Sequence, residues 1–161
     1  MKADQRLYDL GLELPDLSKP AGKYAHYVEI DDMIYLSGKG PFSLDGSPVT
    51  GKVGADVTIK EAREHARSIA LLQLAALREA LGGSLGRVRQ VVKVLGMVNA
   101  APDFTQHPKV IDGFSDVFIK VFGKPGRGAR SAVGMGSLPG NITVEIEAIV
   151  ALHPIGTDDH P

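Results

Sequence analysis

The chain has no cysteine among its 161 residues, which excludes disulfides, thiolate metal sites and cysteine nucleophiles. It has no tryptophan, and aromatic residues make up only 6%, so rings on which single-stranded nucleic acid could stack are scarce. It lacks an excess of either charge: 18 Lys and Arg stand against 19 Asp and Glu, a formal net charge of −1. Non-specific nucleic-acid binding needs a basic excess to neutralise phosphates, so this balance argues against it. No stretch approaches the ~18 consecutive apolar residues of a membrane helix. Met1-Lys2-Ala3-Asp4-Gln5-Arg6 carries no apolar run behind its charges, unlike a signal peptide. The expected location is therefore the cytoplasm. What is present is ordinary for a globular domain, with 43% hydrophobic and 23% charged residues. The length suits one domain, long enough to bury a core without metal or disulfide staples.

Residues 1–23 are polar, broken by Pro15 and Pro20, and read as an N-terminal arm with a turn or two of helix over Gln5 to Leu12. Residues 24–153 read as a single domain, and 154–161 as a loose tail. Tyr24 to Ile30 and Met33 to Gly38 are β-rich runs split by Asp31-Asp32, a hairpin signal. Thr58-Ile59-Lys60-Glu61 fits a capping box at the start of a helix. Ile59, Ala62, Ala66, Ile69, Ala70, Leu77, Ala80 and Leu81 follow at helical spacing until Gly82-Gly83 stops it. Val88 to Val98 is β-branched and reads as a strand. A second helix spans about His107 to Phe122, with Pro108 tolerated in its first turn. Ser131 to Met135 and Ile142 to Leu152 read as strands joined by the turn Leu138-Pro139-Gly140-Asn141.

The order β-β-α-β-α-β-β is an α+β pattern. Two helices cover one face of such a sheet. Yet the middle strand is apolar on both faces, with Val92, Val94 and Val98 on one and Val91, Leu95 and Met97 on the other. A face of that kind left to water would be a large exposed patch, so another subunit is expected to cover it.

Few residues carry chemistry. Gly134-Met135-Gly136 joins strand to strand, whereas phosphate cradling needs a following helix N-terminus. His26, His65, His107, His153 and His160 are scattered, and no His-x-x-x-His pair exists, so no metal site is expected. No Gly-x-Ser-x-Gly elbow joins a strand to a helix (Gly82-Gly83-Ser84-Leu85-Gly86 follows a helix instead), and Ser37 has no assignable His and Asp partners. Arg130 stands where a Gly-rich loop enters a strand, and its forked donors suit a carboxylate. Glu145 lies in the next strand. Spacing alone reads first as a cross-strand Arg–Glu pair, with a carboxylate receptor as the alternative.

These residues resemble those of a known family. Gly128-Ala129-Arg130-Ser131-Ala132-Val133, Ser137-Leu138-Pro139 and Val144-Glu145-Ile146-Glu147-Ala148 are similar to the C-terminal signature of the YjgF/RidA proteins, the reactive-intermediate imine deaminases and their relatives. Gly22-Lys23-Tyr24, Met33-Ile34-Tyr35-Leu36-Ser37-Gly38 and Asp103-Phe104 agree in order. The resemblance covers about Gly22 to Leu152. It implies a chorismate-mutase-like α+β homotrimer with sites between subunits. It implies hydrolysis of 2-aminoacrylate-type imines and enamines to 2-keto acids and ammonia, without a cofactor. By motif, Arg130 corresponds to the arginine that grips the substrate carboxylate and Glu145 to the glutamate that positions water. Tyr24, Gly38 and the Ala132 amide correspond to residues lining the pocket. The sequence departs from the pattern at Lys39, where Gln is usual, at Ile111, where Asn is usual, and at Lys23, where Pro is common. These departures mark a divergent subgroup. They keep open a second reading, a non-catalytic regulatory protein that binds a carboxylate metabolite through Arg130. Some relatives carry an endoribonuclease label, which the charge and aromatic content here do not favour.

Overall fold

A computed structural model describes residues 2–156. Its elements are α1 (Lys2–Asp9), β1 (Tyr27–Ile30), β2 (Met33–Lys39), α2 (Ile59–Ala80), β3 (Val88–Asn99), α3 (His107–Phe122), β4 (Ala129–Met135) and β5 (Val144–Leu152). The strands form one sheet in the order β1-β2-β5-β3-β4. This is the α+β arrangement expected, and the helix expected over Gln5 to Leu12 lies earlier, at Lys2–Asp9. Residues 157–161 of the expected loose tail lie outside the described residues. No described helix is long and apolar enough to cross a membrane.

Local chemistry sets the helix ends. The Thr58 hydroxyl accepts from the Glu61 amide at 3.1 Å while the Glu61 carboxylate accepts from the Thr58 amide at 2.8 Å. Two orphan donors of α2 are satisfied together. Thr58→Ala removes one of them and is expected to lower stability by about 1 kcal/mol, measured by urea unfolding. Gly82 and Gly83, at φ 74° and 109°, end α2 in conformations that cost other residues dearly. α3 buries Val110, Ile111, Phe114, Val117, Phe118 and Val121 along one stripe, with Phe114 and Phe118 stacked at 4.4 Å.

α2 and α3 pack side by side over one sheet face. Two glycines permit the close approach. A Cβ at Gly113 would overlap the carbonyl oxygen of Arg63 on α2, and one at Gly96 of β3 would come within 2.5 Å of the Ile111 side chain. Val144, Ile146, Ala148, Val150 and Leu152 of β5 alternate into the resulting core. α1 docks beside it: Leu7 is buried, and Asp4 accepts from Ser84 Oγ at 2.7 Å and from the Leu85 amide at 3.0 Å.

The expected partnership of the last two strands is corrected. β4 and β5 are not neighbours: β3 lies between them, parallel to β4 and antiparallel to β5. The faces assigned to β3 also change. Val91 pairs with Val150 and Lys93 with Ile149, so one extra residue is accommodated at Val92. This bulge turns Val91 to the same buried face as Val94 and leaves Val92 38% exposed. The helix-free face still carries large apolar side chains. Val28, Ile30, Tyr35 and Val133 on it are 51%, 59%, 47% and 38% exposed.

Candidate functional site

Tyr24, Gly38 and Glu145 gather around an irregularity in β2. Leu36 pairs with Ala148, but Lys39 pairs with Ile146, so β2 spends an extra residue at Ser37-Gly38. Buried Gln73 of α2 secures this bulge by donating through Nε2 to the Ser37 and Ile146 carbonyls, both at 2.9 Å. Ser37 in turn holds the segment before β1. Its amide donates to the His26 carbonyl at 3.0 Å, and its hydroxyl to the Ala25 carbonyl at 2.5 Å. Tyr24 is thereby placed beside Gly38, ahead of β1 rather than within it as the sequence suggests. Both line a pocket of about 210 Å³ with His26, Lys39 and Leu72.

Gly38 leaves room there for the Glu145 carboxylate. A Cβ would come within 2.7 Å of Glu145 Oε2. Glu145, paired with Met97 on the helix-free face, rests against that bare backbone. Burial, and to a lesser degree the charge of Glu147, pushes its carboxyl above the ordinary glutamate value of 4.5. The folded state therefore holds this proton more tightly than the unfolded chain. Stability contributed by protonated Glu145 is full below 4.5 and is lost as pH rises through the raised value. Glu145→Gln is expected to remove that part of the decline. Chemical denaturation of both proteins across the acidic range checks the sign: the variant gains on the native protein as pH increases.

Arg130 and Ala132 occupy the opposite edge, on β4. Arg130 pairs with Val94 and so points to the helix side. Its Nη1 donates to Asp112 Oδ1 at 2.8 Å and to Ser115 Oγ at 3.1 Å, both on α3. A cleft of about 330 Å³ runs along it, lined by Ser115, Asp116, Ile119, Arg127 and Gly128. The side chain is 25% exposed, and its described protein hydrogen bonds run through Nη1. The other guanidinium donors remain for an acid. Ala132, two residues on, is partly buried against the core on the same edge strand. Edge strands present alternate amides with no ladder partner in their own chain.

Arg130 and Glu145 are thus neither cross-strand partners nor members of one cleft within a single chain. β3 separates their strands, and the two side chains point to opposite faces of the sheet. Sequence reasoning missed Asp112 and Ser115. Their i, i+3 spacing puts both on one flank of α3, which is the signal that they share a partner. His65 Nδ1 meets buried Thr143 Oγ1 at 2.9 Å. Burial lowers the His65 pKa. Among the described residues, no three acidic or histidine side chains are placed to hold a metal ion.

The profile of the YjgF/chorismate mutase-like endoribonuclease family matches residues 4–149. The chain belongs to the YjgF/RidA family. Among its relatives, protein TCP17 of Trypanosoma cruzi is 40% identical over 148 residues, covering 91% of this chain and 92% of the relative. A 2-iminobutanoate/2-iminopropanoate deaminase of Dermatophagoides farinae is 31% identical over 142 residues, 88% of this chain and 94% of the relative. The crystal structure of Atu1372 from Agrobacterium tumefaciens superimposes with a TM-score of 0.84 at 39% identity, covering 94% of each chain. The YjgF/RidA match includes most of α1, so the profile extends into the segment that reads as an arm.

Proposed function

We propose that this YjgF/RidA protein hydrolyses 2-imino and 2-enamino acids of the 2-aminoacrylate type to 2-keto acids and ammonia. The site is composite: Arg130 and the Ala132 amide of one copy face Tyr24, Gly38 and Glu145 of the next, in a homotrimer. The observation that carries this reading is the Arg130 guanidinium, held from one nitrogen by Asp112 and Ser115 and lining a cleft together with them. A named imine deaminase at 31% identity supports it. The exposed Val28, Ile30, Tyr35 and Val133 supply apolar surface for the association. Each such side chain contributes roughly 1.5–3 kcal/mol when fully covered.

The chemistry asks little of the protein. The imine carbon is already electrophilic. Arg130 fixes the substrate carboxylate in register, which orients that carbon. The substrate reacts as its protonated imine: Glu145 takes a proton from water as the water oxygen bonds to the carbon, and the C=N electron pair moves onto nitrogen to leave a neutral amino group. Glu145 passes that proton to the amino group, the C–N bond breaks, and ammonia leaves as the hydroxyl returns its own proton to Glu145 and becomes the carbonyl. A carboxyl raised above its ordinary value is the better proton acceptor for this step. No cofactor enters.

Imines generated in place from a series of amino acids, and from their methyl esters, test the reading. Keto-acid release should be accelerated for the free acids and not for the esters. Equal acceleration of both would remove the role given to Arg130. The regulatory reading predicts instead that 2-keto acids raise the thermal midpoint while no imine is turned over.

A further inference from the structure

Lys39 is the last residue of β2 and is only 8% exposed. Its Nζ lies 3.0 Å from His26 Nδ1, and His26 Nε2 lies 2.6 Å from the Ser18 carbonyl oxygen. A carbonyl can only accept, so Nε2 carries the ring proton of the neutral imidazole. Nδ1 then offers a lone pair, and Lys39 donates to it. Among the described residues, no carboxylate lies within ion-pair distance of this amine. Burial without a counter-charge disfavours the ammonium and pushes the Lys39 pKa down. Glu79 of α2, which accepts from the Tyr27 hydroxyl at 3.3 Å, acts in the opposite direction and is the lesser influence. Lys39, His26 and Tyr24 line the same pocket of about 210 Å³, with exposed Lys19 also on its lining.

A buried amine, hydrogen-bonded to an imidazole lone pair on a residue that lines a small pocket, is set up as a nucleophile. We infer that Lys39 captures the carbonyl carbon of a short-chain 2-keto acid as a Schiff base, with His26 handling the proton and Lys19 pairing with the carboxylate. The neutral amine attacks the carbonyl carbon, and a C–N bond forms. The amine nitrogen passes a proton through His26 Nδ1 to the carbonyl oxygen, which becomes a hydroxyl. The remaining N–H proton follows through His26 to that hydroxyl, which departs as water, leaving the C=N bond. No oxidant or reductant is involved. The site shares the Tyr24–Gly38 wall with the hydrolytic reading, but it requires neither Arg130 nor imine hydrolysis.

Trapping on the full chain tests this. The protein is incubated with pyruvate and cyanoborohydride, weighed intact and mapped by peptide. The expected result is one reduced pyruvyl adduct per chain, on Lys39, lost in Lys39→Arg and slowed in His26→Gln. Acetaldehyde, which lacks the carboxylate, should label Lys39 more slowly. Labelling spread over exposed lysines such as Lys60 and Lys109, with Lys39 unmodified, would overturn the inference. The map of the native protein decides even if a variant fails to fold. Imine hydrolysis measured on the same preparation separates the two readings. Turnover without a Lys39 adduct sinks this inference alone, whereas an adduct without turnover upholds it and sinks the deaminase reading.

Discussion

Arg130→Ala is expected to lose imine hydrolysis almost completely while keeping the native fold. The loss follows from what the guanidinium does. A carboxylate held by two charge-assisted hydrogen bonds gains about 1.5–3 kcal/mol from each. Alanine offers neither, and it also removes the register that brings the imine carbon to water. A fall in kcat/KM of roughly a hundredfold or more is the consequence. The fold survives because the Arg130–Asp112 pair is partly solvated, with side chains 25% and 42% exposed. Such pairs contribute about 0–1 kcal/mol. Freed Asp112 stays wet, so no buried charge is stranded. A steady-state assay beside a thermal melt separates the two effects. A variant that melts like the native protein and still turns over imines at the native rate would remove Arg130 from the site.

The largest effect on stability is expected at Gly113. A methyl group there would overlap the Arg63 carbonyl oxygen in the N-terminal part of α2. That atom belongs to a helix backbone and cannot swing aside like a side-chain end. The two helices must separate, which opens the seam over Phe114 and Ala66. Overpacking costs typically 1–3 kcal/mol and more when backbone is the obstacle. The gain in helix propensity from Gly to Ala returns only about 1 kcal/mol. Net destabilisation of about 2 kcal/mol lowers the midpoint of a chain this size by several degrees. Gly136→Ala is the control, since a Cβ there meets nothing within 4 Å. Calorimetry on both variants checks this. An unchanged Gly113→Ala midpoint would mean that the α2–α3 contact is looser than described.

Local signals in the sequence carried far, and long-range pairing did not. The Thr58–Glu61 box, the Gly82-Gly83 stop and the Phe114–Phe118–Phe122 stripe act within a few residues, and each helix lies where they put it. The turn at Leu138-Pro139-Gly140-Asn141 suggested a hairpin, but β3 takes the place between β4 and β5. Nothing local reports which strand wins that contest. The bulge at Val92 reverses the inward and outward pattern behind it, so simple alternation misassigned Val91. Arg130 stood out for its forked donors and its Gly-rich approach, but spacing alone set it first against Glu145 as a cross-strand pair. Its partners Asp112 and Ser115 come from another element, and only the packing of α3 on β4 brings them together. Gln73 is a similar case, a polar residue in an apolar stripe whose purpose appears only when the β2 bulge needs its two hydrogen bonds.

The separation of Arg130 and Glu145 within one chain makes subunit complementation the most direct measurement. Arg130→Ala and Glu145→Gln are prepared separately, each inactive, then mixed, unfolded and refolded together. Mixed assemblies contain boundaries where an intact Arg130 from one copy meets an intact Glu145 from its neighbour. Recovery of imine hydrolysis in the mixture, absent from either variant refolded alone, is the predicted result. Co-assembled oligomers that contain both variants and remain inactive would contradict it.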